Sequence, residues 1–161
     1  MLYEEDVYSG WNILITGAVT LLLLAVLVIQ LLVGPVGAEP ASDWFLLVMF
    51  LLFLALTVNF ARLRIRITPQ SITVGYGIIK YSVPWEKVAD CYQDGATAAK
   101  YGGWGIRLGW VGGKRRLVYN ILGGPRVVLS LKTGAFHEFV FSTRNPEGVI
   151  QAARQRLGKA A

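Results

Sequence analysis

From Ile13 to Val33 the chain runs for 21 residues without a charged side chain, and nothing in the run is more polar than Thr16, Thr20 and Gln30. Few folds accommodate such a stretch. As an α-helix it would extend about 31 Å, close to the thickness of a bilayer's hydrocarbon core. A second uncharged run, Trp44 to Phe60, has 17 residues and would cover about 25 Å, near the lower limit for a span. Between the runs, residues Gly34-Pro35-Val36-Gly37-Ala38-Glu39-Pro40-Ala41-Ser42-Asp43 are rich in helix-stopping Gly and Pro. The pattern predicts a tight helical hairpin.

Neither run shows the polar face that a helix of a water-soluble domain carries. A cleaved secretory signal needs a basic start, and this chain begins with Glu4-Glu5-Asp6. The expected layout is therefore a tail over residues 1–10, a first span over 11–34, an external loop over 35–43 and a second span over 44–60. Trp11 and Trp44 fall where interfacial aromatic anchors belong. A domain over residues 61–161 follows.

Charge orients the hairpin. The net charge of +6 hides a division: residues 1–60 hold no Lys or Arg and five acids, whereas residues 61–161 hold all 16 basic residues against five acids. The connecting loop has no basic residue, and Arg62, Arg64 and Arg66 follow the second span directly. Lys and Arg concentrate on the cytoplasmic side of a span, which predicts a multi-pass protein of the cell membrane with both termini in the cytoplasm.

After the second span the period changes to two. Arg62, Arg64, Arg66 and Thr68 alternate with Leu63, Ile65 and Ile67. Thr68-Pro69-Gln70-Ser71 reads as a turn, and further β-rich runs follow at close spacing, with hairpin signals at Gly112-Gly113 and turns at Gly123-Gly124-Pro125 and Thr133-Gly134. Asn145-Pro146-Glu147 is a helix start, with Val149, Ile150, Ala153 and Leu157 on one face and Arg154, Arg156 and Lys159 toward the C-terminal end. The expected fold is a membrane helical hairpin plus a mainly-β domain, a curled antiparallel barrel of seven or eight strands with a capping helix over 146–158.

The order of these elements resembles the bacterial pleckstrin-homology-like membrane proteins. The residues that carry the resemblance are Arg-Leu-Arg-Ile-Arg-Ile-Thr after two spans, Ser-Ile-Thr-Val-Gly-Tyr-Gly, Pro-Trp-Glu-Lys-Val, and Tyr101-Gly102-Gly103-Trp104-Gly105-Ile106-Arg107 before a strand with Tyr119. It covers roughly residues 44–157 and implies a membrane-tethered pleckstrin-like barrel without assigned catalysis. Lipid-binding eukaryotic members carry basic residues on a long loop between their first two strands. Here that loop is only Thr68-Pro69-Gln70-Ser71, so the resemblance does not extend to specific phosphoinositide binding.

Catalytic signals are weak. His137 and Cys91 are single examples of their types and together fall short of a zinc ligand set. His137 shares a strand register with Phe139 and Phe141, which suits a structural imidazole, and Cys91 reads as a small buried hydrophobe. Glu86, Asp90 and Asp94 would share a strand face but spread over about 27 Å, too far apart for an acid–base pair. Gly112-Gly113-Lys114-Arg115-Arg116 lacks the spacing of a phosphate loop and reads as a hairpin turn with charged flanks. Neither span carries an ionisable residue, which speaks against a proton or ion path.

Charge and aromatic surface remain. Arg62, Arg64 and Arg66 on the first strand, with Lys114, Arg115 and Arg116 at a hairpin tip, are the candidates for contact with anionic lipid, about 1 kcal/mol each at a bilayer surface. The expected function is non-catalytic: a membrane-anchored interaction or scaffold module that binds a protein or peptide through an open sheet edge or the groove beside the terminal helix. The alternative is an accessory subunit of a membrane enzyme or transporter. The expected partners are the lipid bilayer, a membrane or cytosolic protein and, among oligomers, a second copy of the chain. No cofactor, metal or specific nucleic acid is expected.

Overall fold

A computed structural model describes residues 2–96 and 101–158. Lys159, expected near the end of the last helix, lies outside the described residues, as do residues 97–100. The chain divides into two compact units, Gly10–Ala61 and a second one assembled from Met1–Ser9 and Arg62–Ala161.

The first unit is a pair of helices, α1 (Gly10–Leu32) and α2 (Asp43–Phe60). Both are long and apolar enough to cross a membrane, with mean hydropathies of 2.6 and 2.1. Their polar residues fix how they pair. Asn12, Thr16 and Thr20 recur every fourth residue and are buried on one stripe of α1. Asn12 Nδ2 donates to the Phe60 carbonyl at 3.0 Å, and the Thr20 and Thr57 hydroxyls lie 3.3 Å apart. At the other end, Gln30 Nε2 donates to the Ala41 carbonyl at 2.7 Å and to Asp43 Oδ1 at 2.6 Å. The start of α1 thus meets the end of α2, as an antiparallel hairpin requires. Large apolar side chains cover the outside: Leu21, Leu31, Leu51 and Val58 are all exposed.

The second unit contains two sheets and a helix. One sheet has the order β1-β2-β3-β4, with β1 (Tyr3–Tyr8), β2 (Arg62–Ile67), β3 (Ser71–Tyr76) and β4 (Ile79–Pro84), all antiparallel. A single 3₁₀ turn, Trp85–Lys87, leads to the other sheet. Its order is β5-β8-β9-β7-β6, with β5 (Val88–Gln93), β6 (Gly105–Val111), β7 (Lys114–Asn120), β8 (Arg126–Leu131) and β9 (Glu138–Ser142). The C-terminal helix, α3 (Pro146–Leu157), starts as expected, with Asn145 Oδ1 accepting from the Gly148 N–H at 2.9 Å.

Two expectations change here. Residues 3–8, expected as part of a tail, are a strand paired with β2 along its whole length, Tyr3 opposite Ile67 and Tyr8 opposite Arg62. Glu5 secures this strand to the far end of the chain, accepting from the Thr143 hydroxyl and, at 2.7 Å, from the Arg144 N–H. The strands are also not uniformly antiparallel, because β9 runs parallel to β7. Neither sheet closes on itself.

Strand alternation builds the core. Leu63, Ile65, Ile67, Ile72, Val74 and Tyr76 leave one face of the four-stranded sheet fully buried. Facing them are Tyr119, Phe139 and Phe141 of the other sheet. Tyr76 stacks on Tyr119 at 6.1 Å, Tyr81 meets Phe139 at 5.0 Å, and the Tyr76 hydroxyl donates to the Asn120 carbonyl at 2.8 Å. Helix α3 buries Val149 and Ala153 and packs on β5 and β8.

Candidate functional site

The three arginines of β2 stand on the outer face of the four-stranded sheet, and the structure gives them partners that sequence reasoning missed. Register places Asp6 opposite Arg64 and Glu4 opposite Arg66. Arg64 Nε and Nη2 hold the Asp6 carboxylate at 2.7 and 3.0 Å, Arg62 Nη1 reaches Asp6 at 3.3 Å, and Arg66 Nε reaches Glu4 at 2.8 Å. The hydrogen bond and charge of Arg64 hold the Asp6 carboxyl below its ordinary pKa. These arginines are therefore largely compensated by β1. The signal was in the sequence, as Glu4 and Asp6 at a spacing of two opposite Arg64 and Arg66, but pairing across more than fifty residues is not written in any local pattern.

On the other side of β2, Arg64 faces Gly75, which faces Lys80, and Arg66 faces Thr73, which faces Ser82. A side chain at Gly75 would meet the Ile79 carbonyl at 2.5 Å and the Lys80 Cα at 2.6 Å, so only glycine fits there. A hollow of about 230 Å³ lies along this row, lined by Arg64, Arg66, Thr68, Thr73, Gly75 and Lys80. A smaller one of about 60 Å³ adjoins Arg62, Arg64, Gly75, Gly77 and Lys80.

The second basic group does not form a cluster. Alternation along β7 sends Lys114 and Arg116 to one face and Arg115 to the other. Arg116 is buried, with Nη1 donating to the Tyr101 hydroxyl at 2.5 Å and lying 3.4 Å from Asp94. Its Nε lies 2.5 Å from Glu138 Oε2 without the alignment of a hydrogen bond, so that contact is an ion pair. Lys114 Nζ donates to Glu138 Oε1 at 2.9 Å. Arg126 joins the same network through Asp94 at 3.0 Å. Lys114 and Arg115 stay exposed, Arg115 between the rings of Trp110 and Phe136 at 5.8 and 5.7 Å.

The remaining residues singled out by sequence are dispersed over the two units. His137 is exposed, and its Nδ1 accepts from the Arg115 N–H at 3.3 Å. Cys91 is fully buried, and burial pushes its thiol up to about 12. Glu86 lies in the 3₁₀ turn, Asp90 accepts from the Cys91 N–H at 2.7 Å, and Asp94 anchors Arg116 and Arg126. They are not brought together. Trp11 and Trp44 lie at the first turns of α1 and α2, both largely exposed.

One more feature has the shape of a binding site. Strand β5 is an edge of its sheet, paired on one side with β8. Beside it runs a groove of about 650 Å³, lined by Tyr92 and Gln93 of the strand and by Glu147, Ile150, Gln151, Arg154 and Gln155 on and about α3. Comparison with protein-family models, with curated proteins and with solved structures gave no match.

Proposed function

We propose that this chain is a membrane-anchored, non-catalytic interaction module. In this reading its pleckstrin-like β unit stands on the cytoplasmic side of the cell membrane, takes an extended peptide along the free edge of β5 and meets anionic lipid nearby. The observation that carries the proposal is the juxtaposition of an open strand edge with a long groove against a helix. An added strand gains main-chain hydrogen bonds from β5, and alternate side chains fall into the groove beside Ile150. The groove's charges, Glu147 and Arg154, are one of each sign, so it suits a peptide of mixed rather than strongly charged composition.

Supporting the membrane part, β1 and β2 pair only if both ends of the hairpin emerge on one side, which suits two crossings and termini in one compartment. The polar side chains of the spans are turned toward each other and their outer surfaces are Leu, Val, Phe and Trp. That distribution favours a hairpin facing lipid over one wedged between the helices of a larger enzyme or transporter. For lipid contact, Arg62, Arg66, Lys114 and Arg115 keep exposed side chains, and Lys80 adds a further exposed cation on the same face as Arg62 and Arg66.

The test is selection of random dodecamer peptides on the full chain held in a nanodisc, followed by hydrogen-exchange mapping. Selected peptides should slow exchange in β5 and α3, and Gln93→Pro or Ile150→Asp should abolish binding. Failure to enrich any sequence, or protection confined to another surface, would remove the peptide reading.

A further inference from the structure

The outer face of β2, β3 and β4 carries more positive charge than its own residues neutralise, and the excess surrounds a hollow. Four cations, Arg62, Arg64, Arg66 and Lys80, share this face with two carboxylates, Glu4 and Asp6. Both carboxylates sit on the β1 side, where they hold the guanidinium groups from behind. Lys80, on the opposite side, is exposed and has no ion-pair partner among the described residues. It lines both hollows together with Arg64 and Gly75.

We propose that the larger hollow is a binding site for a phosphate monoester group, a ligand independent of any peptide at β5. The charge fits. Arg64, Arg66 and Lys80 line the hollow against the two carboxylates, and with Arg62 at the adjoining hollow the face holds two positive charges in excess, against about −1.5 to −2 on a monoester near neutral pH. The donors fit as well. Guanidinium and ammonium groups make the strong charge-assisted hydrogen bonds that phosphate oxygens accept, and the Thr73 hydroxyl lies on the same wall. The scaffold is rigid where it matters. Arg64 is held in a two-point contact with Asp6, Arg66 is held by Glu4, and the row is tied to β4 by the 2.9 Å contact between the Thr73 and Ser82 hydroxyls. Such support spares the ligand the cost of ordering long side chains. Gly75 completes the site: any side chain there would collide with the Lys80 backbone and would occupy the row along which the hollow lies.

The phosphate group has two possible carriers, a soluble phosphate and the headgroup of a phosphatidate lipid, and one experiment separates them. The full chain in neutral phosphatidylcholine nanodiscs is followed by hydrogen exchange while inorganic phosphate is added. In parallel, the chain is placed in nanodiscs containing phosphatidate, with phosphatidylglycerol, a diester, for comparison. Saturable protection of β2, β3 and β4 by inorganic phosphate identifies a soluble carrier. Protection by phosphatidate beyond that by phosphatidylglycerol, without a response to inorganic phosphate, identifies a lipid one. In either case Lys80→Glu should weaken binding about tenfold to a hundredfold and Lys80→Arg should keep it. Because Lys80 is exposed, exchange in the five-stranded sheet should be the same in all three proteins. The proposal is overturned if neither arm protects, if chloride at equal ionic strength protects as well as phosphate, or if Lys80→Glu binds like the unsubstituted chain. Arg62→Gln, at a 48% exposed side chain that lines only the adjoining smaller hollow, should weaken binding less than Lys80→Glu, and an equal or larger loss would place the ligand elsewhere.

Discussion

Glu138 is the residue on which the outer face of the five-stranded sheet turns. Its carboxylate is 1% exposed and accepts from the Tyr92 hydroxyl and Lys114, both at 2.9 Å, beside the buried Arg116. Burial alone would push its pKa up, but the hydrogen bonds from Lys114 and Tyr92 and the charges of Arg116 and Lys114 outweigh it and leave the group below the ordinary 4.5. A carboxyl with a lowered folded-state pKa contributes stability that is complete above its unfolded pKa and disappears as pH falls through the folded value. Glu138→Gln leaves Arg116 short of a counter-charge and should cost about 3 kcal/mol at neutral pH. Unfolding midpoints of both proteins should converge as pH drops below 4.5. Parallel curves down to acid pH would show that the pair contributes nothing through its charge. None of this was legible in sequence. Glu138 reads as one acid among the β-rich runs, and Arg116 as one of three adjacent bases, until the register of β7 and β9 sets them side by side.

Whole elements were far more legible than their partners. The two apolar runs became helices within a residue or two of their expected ends, because length and hydropathy are local properties. The strict alternation of Arg62–Ile67 became β2 with Leu63, Ile65 and Ile67 inside, and Asn145-Pro146 began α3. Pairing is another matter, since it depends on which faces meet. The threonines of the first run read as tolerated interruptions, yet Thr16 and Thr20 each return a hydrogen bond to the carbonyl four residues earlier and Thr20 also meets Thr57. Hydroxyls that satisfy themselves on the backbone add little between helices, so a Thr20→Val, Thr57→Val double-mutant cycle should give a coupling of about 0.6 kcal/mol. Reversible unfolding of the chain in mixed micelles measures it. A coupling near zero would mean that the hairpin is held by packing and by the Asn12 and Gln30 contacts at its two ends.

At the scale of the molecule, the helical unit interrupts the β unit between two neighbouring strands. Tyr8 and Arg62 are opposite each other in the ladder, with the whole of α1 and α2 between them in the chain. The acidic start hides this arrangement. Of the inward positions Tyr3, Glu5 and Val7, one is itself charged, so the alternation that marks a strand is broken. The geometry carries a direct prediction. Replacing residues 9–61 with Asn-Gly, the residues of a tight hairpin turn, should give a soluble β protein that melts cooperatively and protects the β2 amides from exchange. Loss of that protection would show that the helices are needed to hold β1 and β2 together.

The interruption also gives the sheet a history. A ribosome delivers β1 first and β2 only after both helices, at about 5–20 residues per second, so the acidic strand waits on the order of 3–10 s for its arginines. Through that interval Glu4 and Asp6 keep an unpaired edge charged and unattractive to other strands. In a chain that had threaded only one helix through a bilayer, β1 and β2 would be stranded in different compartments and Arg64 would never meet Asp6. For a hairpin that spans a bilayer as proposed, completion of the first sheet requires that it has gone in and come back.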